Sequence, residues 1–300
     1  MKVFDCTTFY SENLMLDVRF NILDKFVDKF VITEALYSHS GDKKKLNFNI
    51  NNYKDFKKKI IYITVENEPE NVIYNSGVDK DKIESNLNAR ENAIKRISYQ
   101  RDQLNLGLEE ADNNDYIFYS DNDEIPKYQN INLEENTKKI IIFKQKLFYY
   151  KFNLLCDRTD WFGTKGCKKK DLKSFSWLRE IKGKSYNKFR IDTIFSKNKY
   201  ISVSIINDGG WHFSQLKSPK DINEKLRMDE NHFEHKLSMN KMSNIEDMIK
   251  RKVINYDHKA NSTDYKYSNE FKLKTLSLDH MPLYIKNNLK KYSEWFDLEI

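Results

Sequence analysis

The sequence predicts an α/β fold, in which a mixed β-sheet is flanked by helices and followed by a helical C-terminal extension. The first 120 residues alternate between apolar runs rich in β-branched residues and segments with helical spacing. This alternation is typical of parallel strands that are buried between helices. Residues 216–300 carry amphipathic helical patterns instead, so we expect an extension that packs on the sheet domain.

Each predicted strand is a short apolar segment next to a turn or a helix. Residues 3–6 open the chain, and residues 30–33 and 60–65 are β-branched and apolar. Residues 115–119 run directly into an acidic segment, which predicts a strand that ends there. Two further strands are predicted at residues 140–152 and 200–206.

The predicted helices have recognisable starts and apolar stripes. A first helix covers residues 12–25, a long one covers about 84–111, and Pro219 and Pro282 open two more. A capping box at residues 243–246 predicts another helix that reaches about residue 255. In the long helix, an apolar stripe runs through Ile94, Ile97, Leu104 and Leu108 and shares its face with Arg101. An arginine on such a face needs a carboxylate or a bound phosphate as partner, or it snorkels to solvent.

Composition excludes several functional classes. The chain has 52 Lys and Arg against 45 Asp and Glu, and their signs are interleaved rather than gathered in one basic patch, so we expect no specific nucleic-acid partner. No apolar run approaches the length of a membrane span, and the first residues lack the pattern of a signal peptide. Three cysteines without a CxxC pair favour a reducing compartment. We therefore expect a cytoplasmic protein without a transmembrane anchor.

The segment Asp121-Asn122-Asp123-Glu124 is the first candidate site. A predicted apolar strand delivers these carboxylates to its carboxyl end, which is the edge of an open α/β sheet where ligands bind. Two carboxylates in a tight turn can share one hard divalent cation and leave ligand positions for diphosphate oxygens. The alternative is an acidic turn on the surface. Upstream, the polar segment 66–82 contains Pro69 and Gly77 and is predicted to be a lid over such a site.

Three further segments could carry chemistry. Residues 208–214 contain two glycines followed by Trp211 and His212. Trp211 offers a flat face for a sugar ring, and His212 could bind a metal or donate a hydrogen bond. The alternative is a hairpin turn with a tryptophan in the core. The pair His232 and His235 is either a metal site or a solvated helix face. Residues 161–165 combine the aromatic Trp161 with the cation of Lys165.

In this order along the chain, these motifs resemble those of glycosyltransferase family 17. The similar segments are the opening residues 4–20 and 27–34, the Gln-Arg pair at 100–101 and the Ser-Asp-x-Asp-Glu-Ile-Pro motif at 120–126. Trp-x-Gly-Thr-Lys at 161–165, Asp-Gly-Gly-Trp-His-Phe-Ser at 208–214 and Pro-Leu-Tyr at 282–284 continue the resemblance to the end of the chain.

The resemblance implies a GT-A fold, with a Rossmann-like nucleotide-sugar half at about 1–126, an acceptor half at about 127–215 and the helical extension at 216–300. It implies inverting transfer of a sugar, N-acetylglucosamine, from a UDP-GlcNAc-like donor to a hydroxyl of a glycan acceptor, with Mn²⁺ or Mg²⁺. The site residues follow by role. Donor binding is expected of Glu12, Arg19, Arg101 and Asp121, acceptor binding of Trp161, Lys165 and Trp211, and metal binding of Asp121, Asp123, His212 and His232.

The acceptor hydroxyl needs a general base, and Asp208 is the first candidate. It follows a predicted strand whose carboxyl end should lie at the same sheet edge as Asp121, and Glu124 is the second candidate. Two other functions remain open at this point. A metal-dependent phosphoesterase could also use Asp121 and Asp123, and a non-catalytic module that binds glycans or nucleic acids would account for the aromatic residues and the net charge of +7.

Overall fold

A computed structural model describes residues 1–73, 83–187, 190–193, 195–228, 245–260, 266–267 and 269–298. They form a mixed sheet of ten strands, flanked by helices, and a separate two-stranded sheet. The strands of the large sheet are β1 (Val3–Phe9), β2 (Lys29–Ala35), β3 (Ile60–Val65), β4 (Tyr116–Ser120), β5 (Glu124–Pro126), β6 (Ile140–Tyr149), β7 (Leu154–Lys168), β8 (Val203–Ile206), β9 (Gly210–Ser214) and β12 (Lys274–Thr275). The small sheet pairs β10 (Val253–Ile254) with β11 (Phe271–Lys272).

Seven α-helices surround the sheet in the part of the chain that the structure describes. They are α1 (Asn13–Leu23), α2 (Ile83–Asp102), α3 (Phe175–Glu180), α4 (Pro219–Met228), α5 (Ile245–Lys250), α6 (Leu283–Asn287) and α7 (Leu289–Tyr292). A 3-10 segment, Gln103–Leu108, continues α2 towards the sheet. None of the described helices is long and apolar enough to cross a membrane.

The strand order is β3-β2-β1-β4-β7-β6-β9-β5, and the first four strands are parallel. β7 runs antiparallel to both β4 and β6, so β4 and β6 point the same way. β4 and β5 are joined by a turn of only three residues although they lie four places apart in this order. The sheet must therefore curl back on itself, which brings the acidic turn 121–123 close to β7 and β9.

The two largest hydrophobic cores of the described residues lie on opposite faces of the sheet, because side chains alternate between the faces of each strand. On β4, Tyr116 and Phe118 point to the core under α1 and the C-terminal helices, whereas Ile117 and Tyr119 point to the core under α3. All four side chains are completely buried. Each face is covered, so this strand can deliver the acidic turn from a rigid position.

The predicted mixed α/β sheet flanked by helices is confirmed, and β3 has the bounds that the sequence predicted. β7 was not predicted as a strand, because its sequence mixes charged residues and glycines with apolar ones. The extension is not purely helical, since β12 joins the large sheet by pairing with β7. The predicted domain boundaries stay predictions.

The buried face predicted for the long helix is confirmed at Leu104 and Leu108 and wrong at Ile94. Ile94, placed on the apolar stripe, is 45% exposed, whereas Ala93, Arg96 and Gln100 are buried. Polar side chains occupy this face because they bond to neighbouring elements: the Gln100 amide donates to the Thr33 carbonyl at 3.0 Å. Parts of the predicted lid, residues 74–82, and of the capping box, residues 243–244, lie outside the described residues.

Candidate functional site

A cleft of about 480 Å³ opens at the carboxyl edge of the sheet. Its walls come from the end of β1, the acidic turn after β4, the middle of β7 and β9, together with helices α2, α3 and α4. Charged and polar side chains dominate this wall. The lining residues are Thr8, Phe9, Tyr10, Glu12, His39, Ile97, Gln100, Arg101, Asp121, Asn122, Asp123, Trp161, Arg179, His212 and Lys225.

Asp121 lies between two arginines on this wall. The Arg179 Nη2 donates to Asp121 Oδ2 at 2.5 Å, and the Tyr119 hydroxyl donates to Oδ1 at 2.9 Å. Arg101 Nε in turn donates to that hydroxyl at 2.9 Å. Burial would raise the pKa of Asp121, but Arg179 and Arg101 outweigh it and hold this pKa well below its ordinary value. The side chain is therefore a carboxylate with two guanidinium groups beside it.

Asp123, two residues further along the same turn, faces His212 of β9. Its Oδ1 lies 3.3 Å from His212 Nε2, and its carbonyl accepts a hydrogen bond from the Phe213 amide of β9 at 2.8 Å. Burial opposes ionisation of Asp123, yet His212 and Lys225 lower its pKa. Two buried polar atoms near it, Asn122 Oδ1 and His212 Nδ1, have no hydrogen-bond partner among the described residues.

Glu124 is completely buried behind the cleft wall and does not line it. Its Oε1 accepts from Trp161 Nε1 at 2.6 Å and from Arg179 Nη1 at 2.8 Å, and its Oε2 accepts from the Asp121 amide at 3.0 Å. A Cβ on Gly163 would lie 2.9 Å from the Glu124 carboxyl carbon, so glycine leaves the space for this side chain. Glu124 thus fixes both Trp161 and Arg179 in the wall.

Glu12, at the amino end of α1, closes the cleft from the β1 side. Lys217 Nζ lies 3.0 Å and Lys225 Nζ 3.6 Å from its Oε1, and the Ser11 amide donates to Oε2 at 3.0 Å. Burial would raise the pKa of Glu12, but the Lys225 and Lys217 ammonium groups hold it well below its usual range. The predicted donor-side residues Glu12, Arg101 and Asp121 therefore share one cleft.

Arg19, predicted to bind the donor, lies beneath the acidic turn and not in the cleft. It is completely buried and forms a two-point ion pair with Asp5, at 2.6 and 2.7 Å. Its Nη1 also donates to the Glu124 carbonyl at 2.8 Å. With its nitrogens engaged by the protein, Arg19 positions the turn from below in this structure, and its predicted donor-binding role stays a prediction.

Two predicted acceptor residues, Trp211 and Lys165, also lie outside the cleft lining. Trp211 packs in the hydrophobic core, 5% exposed, and its Nε1 donates to the His280 carbonyl at 2.8 Å. It alternates with His212 along β9, and only the imidazole points to the cleft. Lys165 is also buried and donates to the carbonyls of Arg179 and Ile181; burial, with Arg179 beside it, lowers its pKa to about 7. Of the three predicted acceptor residues Trp161, Lys165 and Trp211, only Trp161 lines the cleft.

Asp208 does not lie at the carboxyl edge of the sheet. β8 and β9 pair one after the other with the same long strand β6, so the residues between them form a kink partway along it. There, Asp208 is 57% exposed at its side chain, has φ of 48° and pairs with Lys127 at 2.5 Å. The placement expected for a base is wrong, because the strand continues past this point to Ser214. His232, the last predicted metal ligand, lies outside the described residues.

The two glycines after Asp208 make the backbone conformation of this kink possible. Gly210 has φ of 122°, in the region that favours glycine, and a Cβ there would lie 2.1 Å from the Ile125 carbonyl oxygen. The Gly209 amide donates to the Lys144 carbonyl at 2.7 Å. The motif therefore lets β9 approach β5 and β6 closely, and places His212 opposite the acidic turn.

Comparison with known proteins identifies the family. A family model described as Glycosyltransferase family 17 matches residues 1–295. The chain belongs to this family. It is therefore a glycosyltransferase, and the phosphoesterase and the non-catalytic module are set aside. No curated protein matches the chain.

Two solved structures show a distant similarity to this family 17 chain. The inositol-1-phosphate CTP transferase from T. maritima is 13% identical with a TM-score of 0.32, over 76% of this chain and 96% of that one. HddC from Yersinia pseudotuberculosis is 11% identical with a TM-score of 0.30, over 70% of this chain and 92% of that one.

The cleft contains carboxylate and amide oxygens, the ligand types that a hard divalent cation prefers. Asp121 and Asp123 supply carboxylate oxygens on one wall, and the unpartnered Asn122 oxygen lies between them in sequence. Within the described ranges, no group of three or more His, Cys, Asp or Glu side chains could hold a metal ion. An ion at this wall would therefore need ligands from a bound diphosphate and from water.

Sequence reasoning missed Arg179, the side chain that joins Asp121 to Glu124. It lies on the six-residue helix α3, where a single arginine followed by a glutamate gives no signal of a site. Lys217 and Lys225, which hold Glu12, were missed as well, since they lie more than 200 positions away from it in sequence. Only the fold brings these cations to the acidic residues.

The placement of Asp208 gives a first testable result. Replacing Asp208 by asparagine should change kcat of the transferase less than threefold, roughly, because an exposed ion pair outside the cleft contributes little. Steady-state kinetics on the purified variant checks this, with Lys127→Met as the matched control for the same ion pair. A loss of kcat of about 10²-fold or more would return Asp208 to the role of base.

Proposed function

We propose that this glycosyltransferase has a GT-A fold and transfers N-acetylglucosamine, with inversion, from a UDP-linked donor to a hydroxyl of a glycan acceptor. The observation that supports it most is that Asp121, which is bonded to Arg179 directly and linked to Arg101 through the Tyr119 hydroxyl, lines the same cleft as Asp123. Nucleotide-sugar chemistry needs such a wall, because the leaving diphosphate gains negative charge as the bond to the sugar breaks.

The two guanidinium groups are the proposed diphosphate ligands. Arg179 presents its fork at the cleft wall, where it bonds Asp121, and Arg101 reaches the same carboxylate through Tyr119. Arginine suits this task because its planar fork donates two hydrogen bonds to a phosphate and stays charged. Glu124 holds Arg179 in place from behind, so little ordering remains to be done when the donor binds.

Asp121 and Asp123 are the residues that would hold Mn²⁺ or Mg²⁺. His212, already bonded to Asp123, stands next to that position, and His232 stays a prediction. When bound, the ion supplies positive charge to the leaving diphosphate. Since the protein offers few ligands by itself, we expect the ion and the nucleotide to bind together more tightly than either alone.

In the proposed transfer, the acceptor oxygen forms a bond to the anomeric carbon while the bond from that carbon to the diphosphate oxygen breaks. The hydroxyl proton passes to a base of the protein. Neither Asp208 nor Glu124 lies on the cleft wall. The base is therefore sought among the carboxylates that do line it, which are Glu12, Asp121 and Asp123.

Replacing Asp123 by asparagine tests the donor site. Calorimetry with UDP-GlcNAc and Mn²⁺ should show at least about a tenfold loss of affinity, because one charged oxygen ligand of the ion becomes a neutral amide. Asp192→Asn, which alters an exposed carboxylate bonded to Arg190, is the matched control and should bind as the parent does.

A panel of other nucleotide sugars in the same experiment decides the donor sugar. Equal affinity of the parent and Asp123→Asn, together with no effect of EDTA on either, would contradict the assignment of Asp123 to the ion. Tighter binding of a different nucleotide sugar would replace N-acetylglucosamine in the proposal and leave the site in place.

A further inference from the structure

A second cavity of about 240 Å³ lies beside the donor cleft. Trp161 and His212 line both cavities, so they form a shared wall. The second cavity continues from that wall towards the carboxyl ends of β6 and β9, at Tyr149 and Ser214, and towards the residues that follow β10, at Tyr256. We call it the aromatic pocket.

The two cavities differ in charge. The donor cleft is lined by six Asp, Glu, Lys or Arg side chains, whereas none of these residue types is among the described residues that line the aromatic pocket. His258, which does line the pocket, has its pKa lowered to about 4 by burial and by the neighbouring His212, so this imidazole is neutral at physiological pH. Among the described residues that line this pocket, none offers an anion a cationic partner in exchange for the water it would lose.

The aromatic walls are held in place by one another. The ring centroid of His258 lies 4.8 Å from that of Tyr256, 5.8 Å from that of Tyr149 and 6.2 Å from that of Trp161. The Tyr149 hydroxyl and His258 Nε2 are hydrogen-bonded at 2.6 Å. Flat apolar faces bind the C–H faces of sugar rings. The rest of the described lining combines polar residues, among them Ser214, Gln215 and Asn255, with four aliphatic side chains, Leu226, Ile245, Met248 and Ile254.

We propose that the aromatic pocket is the acceptor subsite and that it binds one uncharged sugar residue of the glycan. This inference rests on the proposed function and adds the chemical class of the acceptor. The pocket is small beside the roughly 300–1,000 Å³ of sites for larger ligands, which suits a single ring. The shared wall of Trp161 and His212 places a hydroxyl of that ring next to the donor cleft, where transfer occurs.

Binding of simple sugars to the full chain tests this subsite. Saturation-transfer NMR would compare methyl glycosides of neutral hexoses and N-acetylhexosamines with methyl glucuronide and glucose 6-phosphate. The variants are Tyr256→Ala and His258→Ala, which each remove an aromatic wall. Phe195→Ala is the matched control, because this phenylalanine is 84% exposed and lines neither cavity. Calorimetry with UDP and Mn²⁺ on every variant reports the donor cleft separately and shows that the variant is folded.

We expect neutral glycosides to bind the parent and Phe195→Ala, and to bind Tyr256→Ala and His258→Ala at least about tenfold more weakly, with UDP affinity unchanged throughout. Preference for the anionic sugars, or equal glycoside affinity in all four proteins, would overturn the subsite. If UDP fails to bind the parent while the glycosides behave as expected, the donor proposal fails and the sugar pocket stands.

Discussion

Replacing Arg179 by alanine is expected to lower kcat/KM for sugar transfer by about 10²–10³-fold, the usual effect of removing one charged donor to a developing negative charge. Arg179 lies at the cleft wall, where it contacts Asp121, and it also bonds Glu124, which is buried behind the wall. Its loss leaves the buried Glu124 without its charged partner and removes a proposed ligand of the diphosphate. The measurement is steady-state kinetics with the donor varied, together with UDP affinity from calorimetry.

Two variants separate charge from geometry. Arg179→Lys keeps the cation but cannot form the fork to two carboxylates, so its loss should be intermediate. Arg190→Ala removes an exposed arginine that is also paired with an aspartate and should leave both kinetics and affinity unchanged. Activity of Arg179→Ala within a few-fold of the parent, at unchanged UDP affinity, would contradict the role of Arg179 at the diphosphate.

The position of the acidic turn could be predicted because its cause is local. The apolar run 115–119 predicts a buried strand, and a sheet that is covered on both faces presents its carboxyl edge to ligands. Arg179 could not be predicted, because α3 reaches the turn only through the antiparallel strand β7. The pairing of β7 with β4 depends on packing across the sheet and not on a pattern within the strand.

The roles of the two tryptophans could not be predicted from the local sequence either. Trp211 follows Gly210 and Trp161 lies two residues before Gly163, so the local sequence fits a sugar platform at either position. On β9, alternation sends Trp211 into the core and His212 to the cleft, and this choice depends on register. The predicted position of Asp208 was wrong for a related reason. β8 and β9 pair one after the other with β6, so Asp208 lies in a kink between them, where the sequence suggested the end of a strand.

Replacing Arg19 by methionine is expected to lower the free energy of unfolding by about 3–5 kcal/mol, because it leaves Asp5 as a buried charge without its partner. Both side chains are completely buried at 0% exposure, and the pair is bonded at two points, at 2.6 and 2.7 Å. The Tyr128 hydroxyl also donates to Asp5, at 3.0 Å, and one hydrogen bond does not replace the lost charge. Urea unfolding of the variant and the parent gives this difference.

A double variant distinguishes the unpaired charge from lost packing. Asp5→Leu combined with Arg19→Met removes both charges and should recover part of the lost stability, as buried pairs replaced by apolar residues often do. Arg251→Met, which breaks an exposed pair with Glu270, should cost less than about 1 kcal/mol.

Because Arg19 also holds the Glu124 carbonyl at 2.8 Å, Arg19→Met should weaken UDP binding even under conditions where the protein remains folded. Parent-like stability of Arg19→Met would show that the Asp5 charge is neutralised in another way, and parent-like UDP affinity that the turn keeps its position without Arg19.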